Sequence, residues 1–265
     1  MSVRVSSMLR ASVGLGVVLA SLVGSAGEAS AQSSVSRRDY RRLDRHLPES
    51  PQRFAFELRL GPYQPRVDEE FSNGKTPYKD IYGSGKNFYI GFEVDWQALR
   101  IPYLGTLGPG FAWGYSSRSA KAKLSGTTND SAENTSLTIM PMYLAAVLRV
   151  DVLARELSIP LVPYAKAGLG LGLWSTSTES GVSTRDGVEG RGRSWGTHLA
   201  LGGMFQLDFL EPNASLTFDD ELGVNNSYLY FEYVWSDLGT MTLFEDKNQM
   251  RVGTKSWVAG LAFEF

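Results

Sequence analysis

The sequence predicts an all-β fold, an eight-stranded antiparallel transmembrane β-barrel behind an N-terminal signal peptide, on three observations. Eight segments alternate apolar with polar or small residues at a period of two, the mark of strands with two unlike faces. The connections between them alternate between long polar stretches and mostly shorter ones. No segment after Ala31 is apolar for the roughly 20 residues that a bilayer-spanning helix needs.

The elements follow in order. Residues 1–31 carry Arg4 and Arg10, then an apolar run over 11–24, and close on Ala29-Ser30-Ala31. This is a signal peptide with small residues, Ala29 and Ala31, at its cleavage site. Residues 32–53 form a periplasmic lead in which Arg37, Arg38, Arg41, Arg42 and Arg45 sit beside Asp39 and Asp44. The barrel is expected over 54–265, with strands near 54–63, 87–96, 107–116, 138–152, 160–174, 194–209, 227–237 and 255–265. Each is long enough to cross a membrane as a tilted strand of about 9–11 residues. The second shows the pattern most clearly, with Phe88, Ile90, Phe92, Val94 and Trp96 on one face and Asn87, Tyr89, Gly91, Glu93 and Asp95 on the other.

Placing the C-terminus in the periplasm makes 64–86, 117–137, 175–193 and 238–254 the extracellular loops. The periplasmic turns are then 97–106, 153–159 and 210–226; the last is long and is expected to hold a small capping helix after Pro212. Aromatic girdles follow from the strand ends. Trp113, Trp195, Trp235 and Trp257 belong at the outer ends, and Trp96, Phe209 and Phe265 at the inner ends. The final strand, with Trp257, Leu261, Phe263 and Phe265 at alternating positions, looks like the assembly signal of bacterial outer-membrane barrels. It implies the barrel assembly machinery as a partner.

Several stretches carry a further resemblance. Residues 56–63 (FELRLGPY), 95–110 (DWQALRIPYLGTLGPG), 138–143 (TIMPMY), 160–170 (PLVPYAKAGLG) and 223–232 (GVNNSYLYFE) resemble a family of outer-membrane β-barrel proteins from myxobacteria. The resemblance covers the chain from about Arg53 onward. It implies a fold and a Gram-negative outer-membrane location; it carries no activity and no site residue.

Composition sets limits. With 43% apolar residues, 12% aromatics and a net charge of −2, the chain is ordinary for one domain and gives no reason to expect nucleic acid. It has 28 glycines, 13 Phe, 12 Tyr and 6 Trp, and the absence of cysteine excludes a disulfide scaffold or a lipidated cysteine. Two histidines and no cysteine leave only carboxylates as metal ligands. No metal and no cofactor is assigned.

The face opposite the apolar one gathers Glu57, Arg59, Glu93, Asp95, Arg149, Asp151, Lys166, Glu232 and Glu264. In a barrel whose interior is just wide enough for side chains, such charges pair or meet water. Paired, they form a plug and a non-catalytic structural or surface-interaction protein; hydrated, they line a small cation-preferring path or a lipid-ligand carrier. His198 shares this face. Ser194 lies about 13 Å away along the strand, too far for a nucleophile–base pair, so a lipid-modifying enzyme ranks last. Gly168, Gly170 and Gly172 lie inside a strand with no helix after them, which is not a nucleotide loop. They are read as making room for Tyr164 or Trp174. The loops carry Lys75, Lys79, Lys86, Arg118, Lys121, Lys123, Arg185, Arg191, Arg193, Lys247, Arg251 and Lys255, which suits contact with outer-leaflet lipid, lipopolysaccharide included. The extracellular partner is not named by the sequence.

Overall fold

The computed structural model describes residues 53–123, 130–178, 181–185, 187–208, 223–241 and 248–265. The expectations for the signal peptide, for Ala29 and Ala31, for the periplasmic lead up to residue 52, for Phe209 and for a capping helix in 210–226 lie outside the described residues. Eight long strands build the sheet: β1 (Phe54–Tyr63), β2 (Asn87–Trp96), β3 (Gly105–Lys123), β4 (Asp130–Arg149), β5 (Leu161–Thr178), β6 (Arg191–Gln206), β7 (Asn226–Leu238) and β8 (Lys255–Glu264). Each pairs antiparallel with its chain neighbours, and β8 returns to β1 through the register Ala55↔Glu264 to Leu60↔Ala259. The barrel is closed.

Closure satisfies the backbone polar groups within the sheet, which a hydrocarbon environment demands. Ten residues of β1, at about 3.4 Å each and about 45° of tilt, rise roughly 24 Å, matching the apolar band of such barrels. Alternation then sorts the side chains. On β1, Phe54, Phe56, Leu58 and Leu60 point out and are exposed while Ala55, Glu57 and Arg59 are buried. The outward set continues through Phe88, Ile90 and Val94, then Phe111, Leu144, Leu169, Leu199, Leu201, Leu229, Phe231 and Leu261, so the exposed apolar belt runs over all eight strands. Water-soluble monomers rarely expose a contiguous apolar patch of more than a few hundred Å². This belt is a lipid-facing surface, and no helix among the described residues is long and apolar enough to cross a membrane.

The strand ends differ from the sequence expectation in four places. The β3 and β4 strands run to 19 and 20 residues, so most of the expected loop 117–137 is a strand hairpin standing above the belt. Its rungs are polar, with Ser117 bonded to Thr138 at 3.0 Å and Ser136 to Ser177 at 2.7 Å. Strands β5 and β6 likewise extend outward to Thr178 and from Arg191. The chain leaves β4 at Arg149, not 152, and a short helix α2 (Val152–Leu157) occupies the turn expected at 153–159. The 97–106 turn folds its Leu99–Ile101 segment back onto β3. In the first long loop, a 3-10 turn (Val67–Glu70) and helix α1 (Pro77–Tyr82) bury Val67, Tyr78 and Tyr82.

Candidate functional site

The interior is the most elaborated site. Along β1 and β2 the inward parity places Glu57 directly opposite Glu93, a like-charge pair that would be unfavourable alone. Two cations resolve it. Arg59 contacts Glu93 and Glu232, with Glu57 at 3.6 Å. Lys166, on β5 across the barrel, sets its Nζ 2.7 Å from Glu57, 2.9 Å from Glu93 and 3.5 Å from Glu232. Arg149, from β4, reaches Asp95, Glu57 at 2.9 Å and Glu264 at 3.1 Å. Eight of the nine side chains named by parity therefore meet in one network, each 6% exposed or less.

Their distribution is lopsided. The carboxylates come from β1, β2, β7 and β8, whereas Lys166 and Arg149 come from the facing strands β4 and β5. The ion pairs therefore cross the lumen instead of running along one wall. Neutral groups add to the coordination of two of the carboxylates. The Tyr164 hydroxyl donates to Glu232 at 2.9 Å, and Tyr228 and Gln97 donate to Glu264 at 2.8 and 2.7 Å. Glu57, Glu93 and Asp95 bring carboxylate oxygens within 4.8 Å of one another, a spacing suited to a hard cation. The guanidinium and ammonium groups just described engage all three.

Asp151 does not belong to this set. The strand has ended by Arg149, and Asp151 lies in the turn beyond it, paired with Arg100 at 2.9 Å and Arg155 at 3.6 Å.

Above the charges the lumen turns aromatic. Tyr63 stacks on Tyr89 at 5.9 Å, and His198 stacks on Tyr143 at 3.9 Å. His198 Nδ1 has no hydrogen-bond partner among the described residues. Ser194 donates to the Met250 carbonyl at 2.6 Å, so it is held by the mouth and not by the histidine. These tyrosines are absent from the charge-based reading, though the same inward parity marks them. The glycines serve other neighbours than expected. A Cβ at Gly170 would meet Tyr143 and Leu238, and one at Gly172 would meet Val252, whereas Tyr164 rests on Gly202 and Trp174 on Gly192.

The outer mouth is shut by the chain itself. Tyr63 donates to the Val252 carbonyl at 2.5 Å, Thr254 Oγ1 accepts from the Gln64 amide at 3.2 Å, and the Arg66 amide bonds the Gly253 carbonyl at 3.0 Å. Leu238, Val252, Leu137 and Ile139 pack beneath with Tyr78 and Tyr82. At the surface, Arg66 and Arg251 share Asp237 at 3.0 Å each, and Arg66 also bonds Glu69. Arg66 holds the Glu69 carboxyl below the usual carboxylate range, chiefly through that hydrogen bond. Arg251 thus braces the mouth, and Arg118 bonds Asn87 at 3.3 Å. Lys75, Lys79, Lys86, Lys121 and Lys255 are exposed; the side chains of Lys123, Arg185 and Lys247 lie outside the described residues.

On the outside, Trp96, Trp113, Trp195 and Trp235 all lie on outward faces. Trp96 closes the inner end of β2, and Trp235 pairs with Lys255 near the outer edge. Trp113 departs from the expected outer girdle. Because β3 continues to Lys123, it sits partway along the strand against Phe92, with ring centroids 5.5 Å apart. Trp257 stacks on Phe231 at 4.7 Å and, with Leu261, Phe263 and Phe265, shares the outward parity of the C-terminal segment. Closed, antiparallel, apolar outside and charged inside, this is a barrel of the outer-membrane type.

No protein-family model matches the chain, and no curated protein matches it. Among solved structures it is similar to the attachment invasion locus protein Ail of Yersinia pestis, determined with the heparin analogue sucrose octasulfate. The identity is 10%, covering 81% of this chain and 97% of that one, at a TM-score of 0.41. Neisserial surface protein A gives 16% identity over 82% and 98% of the two chains at 0.40. OprG of Pseudomonas aeruginosa gives 11% over 81% and 96% at 0.44.

Proposed function

We propose that this chain is a non-catalytic outer-membrane barrel of the kind its sequence resembles in myxobacteria, working as a structural or surface-interaction protein that presents its outer loops and hairpin above a sealed lumen. The observation that carries the reading is the cross-lumen network of Arg59, Arg149 and Lys166 with five carboxylates, under a mouth closed by Tyr63 and Val252. A side-chain-filled interior of this width leaves no path for solutes. In this reading Ala29 and Ala31 mark signal-peptide cleavage and 32–53 leads into the barrel from the periplasm. The barrel assembly machinery is the partner for insertion, and lipopolysaccharide meets the basic outer edge.

A second reading, a narrow cation-preferring path, rests on the excess of carboxylates over cations in the network. Planar-bilayer recording of refolded protein decides between them, with heat-modifiable gel mobility as proof of folding. The sealed barrel gives a flat trace. Discrete, cation-selective openings from folded protein would replace the first reading with the second.

A further inference from the structure

Past the outer tryptophans the outward faces of β6 and β8 turn basic, with Arg193 and Arg191 on the first and Lys255 on the second. Where β7 and β8 pass from belt to water, the last apolar outward side chains are Trp235 and Trp257. On β6 the outward residue after Trp195 is Arg193, and then Arg191. Register sets these arginines beside a graded surface. Met140 on β4 pairs with Leu173 on β5, which pairs with Arg193; one rung further out, Thr138 pairs with Ser175, which pairs with Arg191.

These six residues, together with Trp174, Val182, Gly192 and Asn248, line a groove of about 500 Å³. The groove straddles the boundary of the belt. Leu144, Leu169, Leu199 and Leu201 continue the apolar surface below it, and the polar Ser136–Ser177 rung lies above. Both arginines are exposed, and Glu189 orients Arg191 through its Nε at 2.5 Å.

We infer that this groove is a binding site for a phosphorylated, acylated glycolipid of the outer leaflet, an inference that rests on the outer-membrane reading above. The belt is covered by lipid in any case, so the occupant's lower part is acyl chain against Met140 and Leu173. Its head meets two guanidinium groups two residues apart on one strand, about 7 Å along the chain. Guanidinium matches phosphate through paired, planar hydrogen bonds, and Thr138 and Ser175 offer hydroxyls to sugar oxygens. A zwitterionic headgroup would set an ammonium beside the arginines and is disfavoured.

The test uses full-length chain refolded in detergent, with lipid retention read by native mass spectrometry. The probes are diphosphoryl lipid A, the same lipid without its phosphates, phosphatidylglycerol and phosphatidylethanolamine. The expected result is one retained diphosphoryl lipid A, with retention falling at least tenfold on removal of the phosphates or in the R191Q/R193Q double variant. R100Q, an exposed arginine on the opposite side of the membrane, leaves it unchanged. Equal retention by the double variant, an equal loss in R100Q, or equal retention of phosphatidylethanolamine overturns the site. Equal retention of phosphatidylglycerol overturns the glycolipid assignment. Failure of the wild-type chain to show a heat-modifiable folded form in lipid overturns the outer-membrane reading itself, which separates the two failures.

Discussion

Replacing Lys166 by Met should cost far more than neutralising Glu93 by Gln, although the two groups touch each other. The network joins Glu57, Glu93, Asp95, Glu232 and Glu264 to Arg59, Arg149 and Lys166, an excess of two negative charges when all are ionised. Removing the ammonium deepens that imbalance, whereas removing the Glu93 charge relieves it. Lys166 makes its three contacts at 2.7, 2.9 and 3.5 Å with a side chain wholly out of solvent. Each contact is worth roughly 5–6 kcal/mol of gross attraction at an effective dielectric near 20, and desolvation of the ammonium offsets much of the total. Breaking such a buried arrangement from one side typically costs about 3–5 kcal/mol. The neutral amide at position 93 keeps hydrogen-bonding capacity, and its loss should be about 1–3 kcal/mol. The assay is urea unfolding of protein refolded in phospholipid vesicles, followed by tryptophan fluorescence and heat-modifiable mobility. K166R, which keeps the charge, guards against an outright failure to fold and should stay closer to wild type than K166M. If K166M loses no more than E93Q, the interior is wet enough to screen its charges, and the sealed-lumen argument falls with it.

Three further outcomes are expected. Gly114→Val places a Cβ 2.2 Å from the Tyr89 ring and should destabilise by about 1–3 kcal/mol through overpacking; added Tyr89→Leu should restore part of the loss in the same urea titration. Acidification should loosen the mouth before the belt. Glu69 is held below its ordinary value by Arg66, so its contribution is complete above the ordinary carboxylate range and is lost as pH falls through the depressed value. Protection from amide exchange at 64–70 and 248–254, taken relative to the intrinsic rate at each pH, should therefore fall below about pH 4 and stay constant from pH 6 to 8; a loss of protection that begins near neutrality would assign the mouth to another group. Tyr63→Phe removes the hydroxyl bond to Val252 and should speed exchange in the same segments while conductance stays absent.

Alternation made much of this legible in advance, and its limits follow from what creates it. Lipid outside and packed charge inside give β1 and β2 two unlike faces, so their bounds read directly from Phe54 to Tyr63 and from Asn87 to Trp96. Above the belt the outward face of β3 and β4 turns polar, while the inward face mixes Arg118 and Thr135 with Ala120 and Leu137. Ser117, Ser119, Lys121 and Asn134 then carry no contrast, and the hairpin reads as loop. Parity also assigned nine charged side chains to the interior, because a strand has only two sides; eight are there, and Asp151, beyond the end of β4, is not. It could not pair them: Arg149 reaches Glu57, Asp95 and Glu264 through the tilt and stagger of a closed barrel, at sequence separations of 92, 54 and 115. The closed mouth was invisible for a related reason. Tyr63 and Val252 stand 189 residues apart, and neither is unusual until the loop brings them together.

The lopsided interior has a consequence for how the chain gets into a bilayer. Its carboxylates belong to the first two and last two strands, and two of its three cations to the middle pair. A sheet inserted from either end would carry more carboxylates than cations into hydrocarbon, since only Arg59 of β1 travels with them, at several kcal/mol for each uncompensated ion. Neutralisation arrives only when the ends meet the middle, which is also when the seam between β1 and β8 forms. Stepwise threading is thereby penalised, and curling into a nearly complete ring before or during entry is rewarded. Contacts this distant in sequence make for slow folding. The charges that fill the finished lumen thus act earlier as a checkpoint, admitting to the membrane core only a cylinder that is already closing.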